Sequence, residues 1–394
     1  MSGLSENSKL RYRCEISDES LKTLLDSSRD IQCEAFKNNQ KVNMTDAVLN
    51  HLTASNIFDL RGVVAVVTGG GSGIGLMISS TLVANGATVY IVGPKQADLD
   101  RFAHTYNEAA SQDPRKGRMH GIEGDIRLKS EATRLAEEIG KREKYLTVLF
   151  NNAGVLQGSY EPPTEATAAS YVASHFDRVT QENFNNVINT NSIGPYWLSF
   201  AFLPLLEKWK KSEDPATKKF LPQIIMTSSM NGWTKDSNTA GRSYPYMFSK
   251  SAIGHFTSSL AHELLPLGIR VNGIAPGLFV SQMSAPGMVD PVTGASHLPQ
   301  GATFPLEVPA VLGSNRDMGS LALFLVANWF VNGETVLIDG GPYSSIRHHI
   351  SMRTALYYAR TSNLYGFTFL HMTYTWAVLA HVTESLSYLT PFLR

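Results

Sequence analysis

The sequence predicts an α/β protein built on a doubly wound parallel sheet. The β-branched run at residues 63–67 has no polar interruption, which is typical of a strand buried on both faces of a parallel sheet. Similar runs alternate with stretches of helical spacing, as βαβ units do. A cluster of glycines directly follows the first run. These observations predict one domain with right-handed crossovers between residues 57 and 345.

The elements follow in order along this domain. The predicted strands are residues 63–67, 88–92, 146–150, 224–227, 270–274 and 335–338. The spacing of apolar residues predicts helices over 76–85, 131–139 and 249–264. Residues 1–56 are polar and are interpreted as an N-terminal extension. Residues 346–394 carry many aromatic side chains and form a C-terminal extension to which the pattern assigns no role.

Composition narrows the class of function. Lys+Arg and Asp+Glu number 34 each, so no global basic field gathers nucleic acid, and a small molecule is the expected partner. The two cysteines, Cys14 and Cys33, fit neither a disulfide framework nor a zinc site, and no metal is expected. Residues 1–25 mix charges where a secretory signal needs an apolar run, and no stretch predicts a membrane span. A cytoplasmic protein is predicted.

The first strand leads into a glycine-rich turn, Thr68-Gly69-Gly70-Gly71-Ser72-Gly73-Ile74-Gly75, and then into a helix. Glycines let backbone N–H groups approach a pyrophosphate, and the N-terminus of the following helix attracts the same anion. The strand–turn–helix context distinguishes this turn from an ordinary loop. The residues of the turn predicted to bind a dinucleotide are Gly69, Gly71, Ser72, Gly73, Ile74 and Gly75.

This turn resembles the TGxxxGIG motif of short-chain dehydrogenases, and the resemblance extends over almost all of 57–345. Later motifs occur in that family's order: Gly124-Asp125-Ile126, Asn151-Asn152-Ala153-Gly154, Asn272 with Pro276-Gly277, and Asp339-Gly340-Gly341. The resemblance implies a Rossmann fold and a nicotinamide dinucleotide. The further residues it assigns to the cofactor are Asp125 and Ile126 near the adenine, Asn152, Ala153 and Gly154 along the cofactor, and Pro276, Gly277, Phe279 and Ser281 near the nicotinamide.

The end of the second strand bears on the choice of cofactor. An NAD enzyme carries Asp or Glu there to accept from the ribose 2′-hydroxyl, and this chain has Gly93. Lys95 follows and can pair with a 2′-phosphate. Ser72 and Pro94 stand where many NADP-binding relatives have basic residues. NADP(H) is the expected cofactor, and NAD(H) is the alternative.

Tyr246 and Lys250 are four residues apart on a predicted helix and share one face. Carbonyl reduction requires a positioned acid, and an adjacent ammonium is expected to lower the pKa of a phenol towards neutrality. Tyr246 is thus predicted to be the acid in reduction and the base in oxidation, while Lys250 also holds the ribose hydroxyls. Tyr244 lacks such a cation because Phe248 follows it at that spacing, so it is a candidate for lining the substrate pocket.

Two more residues complete the predicted catalytic site. Ser229 ends the strand at 224–227, where its hydroxyl can donate to a carbonyl oxygen as charge develops, and Ser228 is the alternative. Asn191 matches the Asn of the family's N-x-x-G motif, which by the resemblance holds a water linking Lys250 to solvent. Asn189 has the wrong distance to Gly194 for this role.

The segment 278–316 is rich in Gly, Pro, Met and Ser and carries no pair of cations to clamp an anionic group, so an apolar or weakly polar substrate is expected. Residues 276–283 resemble a subgroup typified by the rhamnolipid-pathway 3-oxoacyl reductase and its fungal counterparts. This implies an acyl or polyketide-like carbonyl of lipid or secondary metabolism, interconverted with a secondary alcohol. The alternatives are a 3-oxoacyl-thioester reductase and a non-catalytic dinucleotide sensor or scaffold. A homo-oligomer is expected, as in relatives.

Overall fold

The computed structural model describes residues 44–284, 290, 293 and 312–341. The predicted C-terminal extension, most of the N-terminal one with Cys14 and Cys33, and most of the predicted substrate segment lie outside the described residues. The chain divides into two units, Met1–Asp59 and Leu60–Arg394. In the first unit, helix α1 spans Met44–His51 and helix α2 spans Ala54–Ile57.

The second unit contains a seven-stranded sheet in which all paired strands are parallel. The strands are β1 (Val64–Thr68), β2 (Thr88–Gly93), β3 (Arg118–Glu123), β4 (Val148–Asn151), β5 (Gln223–Thr227), β6 (Arg270–Pro276) and β7 (Thr335–Ile338). Their order is β3-β2-β1-β4-β5-β6-β7, so the direction of winding reverses between β1 and β4. Ligands of such sheets bind at the carboxyl ends of the strands at this switch point. The predicted α/β fold class is confirmed.

Helices cover both faces of the sheet. They are α3 (Gly73–Ala84), α4 (Gln96–Ala110), α5 (Lys129–Arg142), α6 (Ala168–Tyr171), α7 (Gln181–Ile188), α8 (Gly194–Glu207), α9 (Tyr244–Glu263) and α10 (Asn315–Ala327). Ala65 and Val67 of β1 pack in a core with side chains from α3, α4 and α10, and Val64 and Val66 pack in a second core with α5, α8 and α9. Both faces of the central strands are therefore buried, as the uninterrupted apolar run predicts.

The two outer strands differ from the central ones. The third strand, β3, reads Arg-Met-His-Gly-Ile-Glu and gives no apolar run, because at this edge of the sheet only Met119 and Ile122 are buried and the other residues are half-buried or exposed. The bounds of the strand predicted at 335–338 are confirmed, but the prediction that this strand is fully buried is wrong. All four residues of β7 are half-buried because this strand forms the other edge of the described sheet.

A π-helical turn at Asn189–Ile193 lies between α7 and α8, so these segments form one continuous helical path with a wider turn in its middle. Such turns are often found at functional sites. Among the described residues, no helix combines the length and the apolar character needed to cross a bilayer.

Candidate active site

A cavity of about 1760 Å³ opens at the carboxyl ends of the strands around the switch point. Most of the predicted site residues line it: Gly69, Ser72, Gly73, Ile74, Gly75, Asp125, Ile126, Asn152, Ala153, Gly154, Ser229, Tyr246, Lys250, Pro276, Gly277, Phe279 and Ser281. Four candidates, Gly71, Lys95, Asn191 and Tyr244, do not line it. Apart from these four, the residues predicted from the sequence therefore lie together in the lining of one cavity.

The glycine-rich turn has a backbone shape that side chains would prevent. Gly69 and Gly73 adopt φ angles of +65° and +48°, which favour glycine. A Cβ on Gly75 would lie 2.1 Å from the carbonyl oxygen of Gly69, so only hydrogen fits there. Helix α3 begins at Gly73, and the first N–H groups of a helix have no partner within it. This turn fits a pyrophosphate, while Gly71 faces Leu99 instead, at 3.2 Å from a Cβ built on it.

Thr68 connects the glycine turn to the loop after β4 through hydrogen bonds. Its hydroxyl oxygen accepts from the backbone N–H groups of Asn152 and Ala153, both at 3.0 Å. The side-chain amide of Asn152 donates to the carbonyl oxygen of Thr68 at 3.1 Å. Sequence reasoning assigned Thr68 no role, and the only signal was a hydroxyl at the end of a buried strand.

Asp125 and Lys95 lie in different surroundings. Arg127 binds the Asp125 carboxylate at 2.6 Å, and its hydrogen bonds hold the pKa of that carboxyl below its usual range. Arg127 also lines the cavity and was missed in the sequence analysis. Lys95 is exposed at the start of α4 and lies outside the cavity lining; its backbone carbonyl accepts from the N–H of Leu99 at 3.3 Å, and its amine makes no hydrogen bond or ion pair within the described residues.

Ser229, Tyr246 and Lys250 meet at the centre of the cavity. Helix α9 carries Tyr246 and Lys250, which are only 8% and 4% exposed. The Lys250 Nζ lies 5.7 Å from the centroid of the Tyr246 ring and donates to the carbonyl oxygen of Thr227 at 2.7 Å. The Ser229 side chain lies near enough to the Tyr246 phenol to lower its pKa, while Ser229 Oγ donates to the carbonyl oxygen of Pro276 at 3.4 Å. This arrangement places two hydroxyl groups side by side with a buried amine behind them.

The expected lowering of the Tyr246 pKa is wrong for this geometry. Burial raises the pKa of Tyr246, and the nearby Ser229 side chain offsets this only in part. Burial also lowers the pKa of Lys250 to about 8, since the charged amine is disfavoured there and is directed at the carbonyl of Thr227. Tyr246 consequently keeps its proton at neutral pH, which is the state needed to protonate a carbonyl oxygen.

Asn191 lies in the π-helical turn and is almost fully buried. Its Oδ1 accepts from the backbone N–H of Val155 at 2.8 Å, and its Nδ2 donates to the Val155 carbonyl at 2.9 Å and the Ser249 hydroxyl at 3.0 Å. A Cβ on Gly154 would lie 3.3 Å from Asn191 Oδ1 and 3.5 Å from Lys250 Nζ. The Asn191 side chain thus positions the chain segments that lie beside Lys250. Its role in holding a water stays a prediction.

Ser243 is a positioning residue that the sequence analysis missed. It caps α9 by accepting from the backbone N–H of Tyr246 at 3.1 Å, and its hydroxyl donates to the carbonyl oxygen of Gln157 at 2.5 Å. A serine preceding a helix was the available signal. Tyr244 is 40% exposed and stacks on Tyr160 with 5.6 Å between centroids, so it does not line the cavity as expected.

The contacts of the two candidate serines indicate different roles for them. Ser228 Oγ donates to the backbone carbonyl of Lys250 at 2.8 Å, whereas Ser229 lies against the phenol of Tyr246. We expect Ser229→Ala to lower kcat about 100-fold with little change in stability. Ser228→Ala should cost about 1 kcal/mol of unfolding free energy and leave kcat within a few-fold. Steady-state rates and urea unfolding of both variants check this, and a reversed pattern would assign the catalytic role to Ser228.

Comparison with known proteins identifies similar chains. The family model for short chain dehydrogenases matches residues 63–288, more than half of the chain. The short-chain dehydrogenase/reductase VdtF of Byssochlamys spectabilis is 32% identical over 75% of this chain and 97% of that protein. The rhamnolipids biosynthesis 3-oxoacyl-[acyl-carrier-protein] reductase of Pseudomonas aeruginosa is 31% identical over 72% of this chain and 97% of its own. A structure of the P. aeruginosa RhlG/NADP active-site complex aligns with a TM-score of 0.55 at 28% identity, covering 73% of this chain and 98% of that one.

Proposed function

Because this chain belongs to the short-chain dehydrogenase family, we propose that it is an NADP(H)-dependent oxidoreductase interconverting a carbonyl and a secondary alcohol. The observation that carries the proposal is the convergence of Ser229, Tyr246 and Lys250 in the cavity that the glycine turn borders. A sensor or scaffold role would not require a tyrosine and a lysine buried together beside a serine hydroxyl.

The cavity residues fit a nicotinamide dinucleotide. The turn at Gly69–Gly75 would hold the pyrophosphate, Asp125 and Ile126 the adenosine, and Ser281 the nicotinamide side. When bound, the nicotinamide supplies or accepts the hydride. The preference for NADP(H) is supported by the absence of an acidic side chain at Gly93 and by the nearby charge of Lys95, which has no ion-pair partner in the described part of the chain. The NADP complex of a similar protein also supports it.

In reduction, the hydroxyl of Ser229 donates a hydrogen bond to the substrate's carbonyl oxygen, and Tyr246 transfers its proton to the same oxygen as negative charge develops. Lys250, with its pKa lowered to about 8, can exchange protons near neutral pH, and in reduction it returns to Tyr246 the proton that the phenol has given up. In oxidation the neutral amine of Lys250 first takes the phenol proton, and the phenolate of Tyr246 so formed accepts the proton of the substrate hydroxyl. Asn191 and Ser243 keep these groups in position without contacting the substrate.

The cavity wall near the catalytic residues supports an apolar acyl or polyketide-like substrate of lipid or secondary metabolism. Leu156 packs against the small cluster that contains Tyr246, and Leu156, Met230 and Met283 all line the cavity. Asn231 and Thr239 line it too, but their polar groups bind each other, with 2.6 Å between Thr239 Oγ1 and Asn231 Oδ1. A 3-oxoacyl thioester is the second candidate, supported by the name of the similar P. aeruginosa reductase.

The test is a fluorescence titration of the purified protein with NADPH and NADH, followed by turnover with ketones and 3-oxoacyl thioesters. We expect binding of both cofactors, tighter for NADPH, and turnover of substrates with apolar chains. Binding of neither cofactor would refute the proposal. Binding without turnover of any substrate in the panel would favour the sensor.

We also propose that the protein acts as a homo-oligomer in the cytoplasm. Partly exposed aromatic side chains lie on two helices, with Tyr196 and Phe200 of α8 at 42% and 39% exposure and Phe248 of α9 at 55%. An apolar surface of this kind is typical of subunit contacts. The low cysteine content supports the cytoplasmic compartment.

A further inference from the structure

The carboxyl ends of β2 and β3 lie side by side in the cavity wall. Gly93 and Glu123 are partners in the parallel ladder, and both line the cavity. A Cβ on Gly93 would lie 3.2 Å from the Leu99 side chain, which fills the space on that side of the strand. The end of β2 thus carries no acidic side chain, whereas Glu123 lies at the same level on the neighbouring strand.

Hydrogen bonds fix the Glu123 side chain in place. Its Oε2 accepts from the backbone N–H of Gln96 at 2.9 Å, and its own N–H donates to the Oε1 of Gln96 at 2.8 Å. The Nε2 of Gln96 in turn donates to Asp100 Oδ1 at 2.7 Å. The carboxylate of Glu123 is thereby held at the N-terminus of α4, beside Gly93 and Pro94.

The charge of Glu123 is not neutralised as those of its neighbours are. The other carboxylates of this end of the cavity are each in an ion pair: Asp125 with Arg127, Glu131 with Arg134 and Glu138 with Arg142. Glu123 forms no ion pair within the described part of the chain; Arg134 donates instead to its backbone carbonyl, at 2.6 Å. Lys95, the nearest cation in sequence to Gly93, is exposed and lies between two residues that line the cavity, Pro94 and Gln96.

We propose that Glu123 reads the 2′ position of the cofactor ribose, an inference that rests on the proposed dinucleotide function. Its carboxylate favours a neutral 2′-hydroxyl and repels a 2′-phosphate, because this exposed charge has no ion-pair partner among the described residues and like charges repel at short range. Glu123 thus opposes Lys95, and the balance between the two charges sets how strongly NADP(H) is preferred over NAD(H).

Glu123→Gln tests this proposal because the amide oxygen can still accept from the N–H of Gln96 while the charge is removed. We expect the affinity for NADPH to rise about tenfold, with that for NADH within about twofold, and 2′,5′-ADP to gain over 5′-ADP by the same factor. Lys95→Gln should shift the ratio in the opposite direction. The matched control is Glu138→Gln, since Glu138 lines the same cavity but is paired with Arg142.

The outcomes separate this inference from the proposed function. If the unmodified protein binds both cofactors and Glu123→Gln leaves their affinity ratio unchanged, the reading of the 2′ position is overturned and the reductase proposal survives. A parallel gain for both cofactors also overturns it, since the carboxylate would then act on the adenosine as a whole. If the unmodified protein binds neither cofactor, both proposals fail.

Discussion

Replacing Tyr246 with Phe is expected to lower kcat for carbonyl reduction by about 1000-fold. The substitution removes only the hydroxyl, and the ring is 8% exposed in a packed environment, so the fold should be preserved. Burial raises the pKa of this phenol, which keeps its proton in place at neutral pH beside Ser229. The loss should appear in kcat, while the affinity for NADPH measured by fluorescence changes by no more than about twofold.

Tyr244→Phe is the matched control for that variant. It removes a phenol two positions earlier on the same helix, at a residue that is 40% exposed and lies outside the cavity lining. Its kcat should stay within about twofold of the unmodified protein. If Tyr246→Phe retains more than a tenth of the activity, another group supplies the proton and the assigned mechanism is incorrect.

Replacing Gly75 with Ala is expected to weaken NADPH binding by at least about 100-fold. The new Cβ would lie 2.1 Å from the carbonyl oxygen of Gly69 and 2.6 Å from the Nδ2 of Asn152, distances at which the backbone must move. Such movement turns the N–H groups at the start of α3 away from their present directions. Titration with NADPH measures the loss, and circular dichroism verifies that the sheet and helices remain.

Gly140→Ala serves as the control for this second substitution. Gly140 lies within α5, where an added Cβ would meet only the side chain of Leu205 at 3.4 Å, an ordinary contact. Alanine in a helix interior is expected to stabilise the protein by about 0.5–1 kcal/mol relative to glycine, without any effect on cofactor binding. Unchanged NADPH affinity in Gly75→Ala would show that this turn does not hold the pyrophosphate.

The central strands were predictable because burial on both faces leaves a signal within five consecutive residues, as in Val64–Thr68. The edge strands gave a weaker or misleading signal. Arg118–Glu123 contains charged residues because part of it faces solvent, and Thr335–Ile338 is apolar although it is only half-buried. The hydrophobic pattern of a strand reflects only its average surroundings. Its burial can be predicted only when the strands on each side of it are known.

The candidate site divides in a similar way. Tyr246 and Lys250 were predictable because a helix fixes the relation between residues four apart. Glu123 was not, since its place in the cavity depends on the register between two strands separated by a whole helix. The pKa of Tyr246 depends on desolvation by the surrounding chain, which no local spacing reveals. Local geometry can be read from a motif, whereas pairing and burial require the folded chain.

The π-helical turn at Asn189–Ile193 contains one residue more than an α-helical turn, and Asn191 lies within it. Losing one residue from the turn would leave a regular α-helix, so the buried face of Gly194–Glu207 would keep its direction. Asn191 would be displaced instead, and its side chain binds the backbone of Val155 and the hydroxyl of Ser249. A single-residue deletion here should therefore preserve the fold and disturb the contacts beside Lys250, and related chains that keep the site should keep both the length of this turn and the asparagine.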